Sequence, residues 1–358
     1  MRVRHNTPSA AALVVVGGLS GVGAQEPAQV TVVEPCRESC RLIVAPHREY
    51  GEDTGAGMIE ASRVRGWLDE SERMYIGGDP ANHVQVFGPG GVFLRRIGRS
   101  GSGPGELRHM TSLVVIGDGL FSVLDRRRGM IVTFDSTGAL QKETRPRGWS
   151  PRGTQTIHLG GPLAVHHADI PTPDLIGYPL HLVNLESGEL EESFGSLTGE
   201  YDLQTGFDHV IARGPGRAVW LAKKYAYTIE LWESNRLLRS LRRHVNWFPE
   251  VPVAGLGHGW EERPSPLIAN IAADDSLLWV AIGIADEQWE EGGEYRDLAL
   301  FYDTMIEVID WKRGRVIGRE RFDDDYFHWV RPGLLGRAVV TPEGSIRYRT
   351  TRVRLVDG

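Results

Sequence analysis

Five short stretches of the 358-residue chain repeat one pattern, a strand-forming run closed by a tight turn. They are VQVFGPGG (84–91), IVTFDSTG (131–138), HLVNLESG (181–188), IELWESN (229–235) and EVIDWKRG (307–314). The turns end on Gly91, Gly138, Gly188, Asn235 and Gly314. Gly and Asn are the residue types that accept positive φ in hairpins. Their spacings of 47, 50, 47 and 79 residues define a period that carries strands rather than helices.

A second hairpin lies upstream of each copy: RVRGWLDESERMYIGG (63–78), LVVIGDGLFSVLD (113–125), TIHLGGPLAVHH (156–167), VIARGPGRAVWLA (210–222) and IANIAADDSLLWVA (268–281). RAVVTPEGSIRYR (337–349) adds a sixth, followed by TTRVRLVDG at the end of the chain. An inner and an outer strand pair repeated every forty to fifty residues is the signature of a propeller, because one four-stranded blade cannot bury its faces alone. The expected fold is therefore all-β, a single six-bladed β-propeller over residues 25–358 with its first blade from about residue 59. The sixth copy lacks a last strand, and an open edge invites aggregation. RLIVAP (41–46) has β-rich character and is expected to close blade six.

The run VQVFGPGGVFLRRIGRSGSGPGEL (84–107) resembles the repeat of six-bladed β-propeller proteins related to NHL repeats, including their Gly-Pro-Gly-Glu after a blade's outermost strand. The resemblance is specific over blades one and two and continues as periodicity through blades three to six. It implies the fold and leaves function open, because propellers serve as lyases, lactone hydrolases, sensors and binding scaffolds.

Two basic residues, Arg2 and Arg4, precede a short apolar run and then small residues ending at Ala24, the order of a secretory signal. Residues 1–24 are expected to be removed near Ala24, giving an exported, periplasmic or secreted protein. No stretch reaches the roughly 20 apolar residues of a membrane-spanning helix. The chain has 40 Lys and Arg against 47 Asp and Glu, a net charge of −7, with no basic block. That balance argues against a nucleic-acid partner. Cys36 and Cys40 in PCRESC form either a small local disulfide or two free thiols; export permits the disulfide.

The glycine-rich RSGSGPGE (99–106) lacks both the Lys-Ser/Thr and the following helix that a phosphate-binding loop needs, so it is read as a chain reversal between blades. Two long insertions flank or enter blade five, residues 242–266 and 283–304. Loops on a rigid scaffold usually carry function. Five tryptophans, Trp149, Trp247, Trp260, Trp289 and Trp329, fall in loops expected on one face. The candidate ligand-binding set is Trp247, Phe248, His258, Trp260, Trp289, Tyr295, His328 and Trp329, suited to a protein, peptide or glycan ligand. The bland reading of these rings is that they pin long loops to the blades.

A second candidate group is polar and placed near the channel mouth: Asp79, Asp125, His166, His167, Asp169 and Lys223. Water-facing channel residues are the simpler reading; His and carboxylate also suit a metal. Two functions stay open. The favoured one is a non-catalytic binding scaffold without cofactor. The alternative is a propeller hydrolase or lyase using a divalent cation such as Ca2+ at the channel mouth.

Overall fold

A computed structural model describes residues 28–33, 40–61, 63–79, 82–117, 119–153, 155–168, 175, 177–195, 209–250, 263–290, 301–323 and 328–356. All regular structure within them is β-strand. Two N-terminal strands, β1 (Ala28–Thr31) and β2 (Leu42–Tyr50), precede the repeats. Blade one comprises β3 (Arg63–Leu68), β4 (Met74–Asp79), β5 (Val84–Phe87) and β6 (Phe93–Ile97). Blade two holds β7 (Met110–Gly117), β8 (Leu120–Asp125), β9 (Met130–Asp135) and β10 (Leu140–Thr144). Blade three holds β11 (Gln155–Gly160), β12 (Leu163–His167), β13 (Leu180–Asn184) and β14 (Leu190–Phe194). Blade four follows with β15 (His209–Arg213), β16 (Val219–Lys223), β17 (Thr228–Glu233) and β18 (Arg236–Arg242). Blade five comprises β19 (Leu267–Ala273), β20 (Leu277–Ala285), β21 (Tyr302–Asp310) and β22 (Arg315–Phe322). Blade six has β23 (Trp329–Arg331), β24 (Leu334–Val340) and β25 (Ile346–Leu355), and its fourth strand is β2.

Each blade is an antiparallel meander, and the six innermost strands β3, β7, β11, β15, β19 and β23 neighbour one another in a closed circuit. Six apolar clusters fill the six gaps between blades. Both faces of every blade are thus buried, which explains strands that read as continuous apolar runs. In β8, Val123 packs toward blade one and its neighbour Leu124 toward blade three, the period-two alternation of a strand.

The recurring glycine turns have a double cause. Asp135, Asn184 and Asp310 open the outer turns of blades two, three and five, and their Oδ1 atoms accept amides two to four residues on. The turn then closes on Gly138, Gly188 or Gly314 at positive φ. At Gly188 a Cβ would also lie 2.4 Å from the Arg145 carbonyl oxygen, so close packing excludes any side chain there. Blade four departs from the expectation. The positive φ falls on Ser234 rather than Asn235, because Glu233 pairs directly with Arg236 and leaves a two-residue turn whose first position takes the left-handed conformation.

The loop RSGSGPGE is a chain reversal. The Glu106 carboxylate folds back to accept the Gly103 amide at 2.7 Å and Arg99 Nε at 2.9 Å. A Cβ on Gly101 would meet that carboxylate at 1.9 Å.

Ring closure occurs as expected and over a longer span: β2 pairs antiparallel with β25 from Leu42↔Leu355 to Tyr50↔Tyr348. Upstream of it lies a strand the sequence analysis did not anticipate. β1 pairs parallel with β18, making blade four five-stranded. The chain then crosses to blade five, where Val33 N bonds Gly314 O at 3.0 Å and Val316 N bonds Val33 O at 3.0 Å. Arg319 N donates to Cys40 O at 2.9 Å just before β2 begins. The N-terminal segment therefore touches the outer edges of blades four, five and six in turn. Cys40 is disulfide-bonded, and Cys36 is the one other cysteine in the chain.

A chain begun at residue 51 leaves the β25 edge open, whereas one begun at residue 40 keeps closure and loses β1, the crossing and the disulfide at Cys40. The first is expected to melt roughly 10 °C below the full chain and to self-associate; the second should melt within a few degrees of it. Circular-dichroism melts and size-exclusion chromatography check this, and equal melting of all three chains refutes the role of β2.

Candidate functional site: the central channel

The inner circuit encloses a cavity of about 340 Å³ lined by residues from all six blades. Blade one contributes Arg65, Gly66 and Trp67, blade two Ser112, and blade three Gln155 and Thr156. Blade four gives Ile211 to Arg213, blade five Asn270 to Ala273, and blade six His328 to Pro332. Every lining residue sits on or beside a first strand, which places it at the axis.

The wall is polar in an unusual way. Ser112 is 3% exposed and Asn270 is 8% exposed, and neither side chain hydrogen-bonds another described residue. Such a group is costly to bury without a partner. Asn270 adjoins a register shift in β19 after Ile268. Gln155 spends its Oε1 on the Ile211 amide at 2.8 Å, bracing blade three against blade four. His328 donates Nε2–H to the Gly66 carbonyl at 3.0 Å across the seam between blades six and one. Burial and then the nearby Arg65 charge outweigh that bond and lower the His328 pKa to about 4, so the ring is neutral at pH 7.

The sequence-predicted residues scatter. Trp329 lines the channel beside His328, its ring 5.7 Å from Trp279 in an edge contact. Trp247 and Phe248 are elsewhere: Phe248 is buried against Tyr227, ring centroids 5.2 Å apart, and the Arg319 guanidinium lies 5.2 Å from the Trp247 ring centre. These two rings anchor the chain leaving blade four, the bland role. Trp289 is half-buried in the turn after β20, where its amide donates to Asp286 O at 3.2 Å. Trp149 donates Nε1–H to Gly188 O at 2.9 Å and packs between blades two and three. His258, Trp260 and Tyr295 lie outside the described residues, as does Asp169.

Within the channel-mouth group, Asp125 and His166 hold backbone amides. Asp125 is fully buried, and its carboxylate accepts the amides of Arg108, His109, Arg127 and Arg128 at 2.6 to 3.2 Å. It pins the connection between blades one and two to the turn after β8. Asp79 ends β4 opposite Arg63. Lys223 ends β16 opposite His209, half-buried. His166 and His167 belong to a buried cluster with His181 and His209. His166 Nε2 accepts the Gly153 amide at 3.1 Å, and its Nδ1 lies 3.0 Å from Thr156 Oγ1. His181 lies 2.9 Å from Ala168 O through Nε2 and 2.8 Å from Ser193 Oγ through Nδ1. The His167 and His209 rings meet edge to face at 6.1 Å. Among the described residues no three His, Cys, Asp or Glu side chains converge to hold a metal ion.

Arg65, Trp67, Ser112, Gln155, Arg213 and Asn270 were missed by the sequence reading. The signal was present: each copy's first strand interrupts an apolar run with a polar residue, as in RVRGW, MTSLV, QTIHL, HVIAR and LIANI.

The closed circuit of six four-stranded meanders makes the chain a six-bladed β-propeller. Residues 60–149, blades one and two, match the DUF5128 family model, described as a 6-bladed beta-propeller. The chain is similar to a Bacteroides fragilis NCTC 9343 protein classed provisionally as exported, at 11% identity and a TM-score of 0.60, covering 92% of this chain and 99% of that one. It is similar to a DUF4221 member from Bacteroides vulgatus ATCC 8482, at 9% identity and a TM-score of 0.60, covering 89% and 100%. At such identities the likeness is one of fold. No curated protein is detectably similar in sequence. No helix is long and apolar enough to cross a membrane among the described residues.

The histidine cluster makes stability depend on pH. Burial lowers His166 to about 3 and His181 and His209 to about 4, from an ordinary 6.5, and pushes His167 well down. Below about pH 6.5 the unfolded chain therefore binds more protons than the folded one, and stability falls as pH drops toward 4. Melts at constant ionic strength should show a falling Tm across that window, with a shallower slope in His181→Asn. An unchanged slope in that variant refutes the assignment.

Proposed function

We propose that the protein is an exported, non-catalytic binding propeller that takes a small ligand into its central channel. The observation that carries this is the cavity itself, with Ser112 and Asn270 in its wall making no side-chain hydrogen bond to another described residue. Their unspent hydrogen bonds are the kind a ligand or its bound water completes, and a concave wall mixing rings with a few polar groups is the usual form of a ligand site. Trp247 and Phe248 are committed to packing, which moves the reading from the blade-five loops to the axis. His166 and Asp125 are likewise committed to structural hydrogen bonds, so neither is available as an acid, base or metal ligand at the mouth. Export is supported by the signal-like order of residues 1–24 and the provisional class of the Bacteroides fragilis neighbour. The disulfide at Cys40 fits an oxidising compartment.

The test is the double variant Ser112→Val, Asn270→Leu. Replacing partnerless buried polar groups with apolar groups of similar size is close to neutral for folding. The variant should melt within a few degrees of the parent yet lose at least ~10-fold in affinity for small molecules found by thermal-shift screening, about 1.4 kcal/mol. Undiminished affinity refutes the channel site. Conversion of any hit to product, followed by mass spectrometry, refutes the non-catalytic reading.

A further inference from the structure

We infer that the channel ligand is a small organic carboxylate with a flat apolar body. This rests on the channel reading above and names the ligand's chemical class. Acidic residues outnumber basic ones in the chain, 47 to 40, yet the channel lining includes Arg65, Arg213 and Arg331 and not one Asp or Glu. A cationic wall inside an acidic protein is the reverse of what its composition supplies.

The three arginines come from blades one, four and six, with blade four on a different side of the channel from the adjoining blades six and one. Arg213 ends β15, is exposed, and forms no ion pair with another described residue. Arg331 reaches out of the lining to Glu72, at 2.5 Å. Arg65 is half-buried, and burial disfavours its charged form. A guanidinium matches the two oxygens of a carboxylate with two parallel donors.

The positive region continues outward. A second cavity of about 390 Å³ shares Arg331 and Pro332 with the channel and adds Arg352 and Arg354, again with no acidic residue in its lining. Nearby, burial first and then the charges of Arg352, Arg48 and Arg331 lower the His47 pKa, while Glu72 opposes them. Linked cationic cavities of this kind draw anions toward the inner one.

The remaining wall selects the body of the ligand. Trp67 and Trp329 supply rings, Ile271 and Ala272 supply aliphatic surface, and Ser112 and Asn270 offer neutral hydrogen bonds. Inorganic phosphate leaves that apolar surface unused. A volume of about 340 Å³ falls at the small end of ligand pockets.

The probe is 2-naphthoate, with the neutral isostere 2-naphthamide as control, followed by quenching of tryptophan emission and by calorimetry. Naphthoate is expected to bind saturably and at least ~10-fold tighter than naphthamide, and to weaken as salt rises. Arg213→Gln, at an exposed strand end that tolerates change, should remove most of that preference, and Arg65→Gln should do the same. Equal affinity for acid and amide, or no loss in Arg213→Gln, overturns the anion inference and leaves the channel reading standing. Absence of saturable naphthoate binding overturns the inference as well. Naphthoate binding that persists in the Ser112→Val, Asn270→Leu variant places it outside the channel and overturns both.

Discussion

The pairing of β2 with β25 is the contact on which the rest depends. Six meanders in a row have two open ends, and blade six has only three strands of its own. The register from Leu42↔Leu355 to Tyr50↔Tyr348 joins the start of the chain to its end and turns a row into a ring. Only in the ring does every blade have two neighbours, and only then are both apolar faces of blades one and six covered. The seam is tightly fitted: the Tyr348 ring lies between Gly66 and Gly336, where an added Cβ would come within 2.5 and 2.1 Å of it.

Some polar groups between blades are fully paired. Glu307, fully buried between blades four and five, is met by Tyr227 Oη at 2.5 Å, Arg243 Nη2 at 2.9 Å and Arg319 Nη2 at 2.6 Å. Taking one partner from such a group strands a charge, at a cost of about 3–5 kcal/mol. Asp125 does with four backbone amides what Glu307 does with side chains. In the channel wall Gln155 and His328 are paired in the same way, whereas Ser112 and Asn270 make no side-chain hydrogen bond to another described residue.

The fold was legible because its turns are chemically demanding. Gly138, Gly188 and Gly314 serve a left-handed turn under close packing, so they recur at blade spacing and announce the repeat. Blade four hid its turn better, since Ser234 takes the strained position without being a glycine. β1 was not anticipated: AQVT is only four residues long and has no turn signal beside it, and its place follows from an edge of β18 far away in sequence. The site was legible only in part. Tryptophan and histidine are as useful for packing as for binding, and Trp149, Phe248 and His166 are buried packing residues. The channel residues carry ordinary types, and what distinguishes them is position on six strands that converge only after folding.

That convergence ties the channel to closure. β23 is just three residues long, and its place at the axis is fixed from both sides: Trp329 packs against Trp279 of blade five, and His328 bonds Gly66 of blade one. Blade six meets blade one through β23 and β24 against β3, and β2 completes the outer edge of that blade. Arg65 and Arg331 therefore share one wall through the same seam that joins the chain's two ends, and an opened ring separates two of the channel's three positive charges. A lone guanidinium in water binds a carboxylate weakly, whereas several fixed in a partly desolvated cavity bind it well. Affinity for an anion is thus a property of the closed ring rather than of any blade.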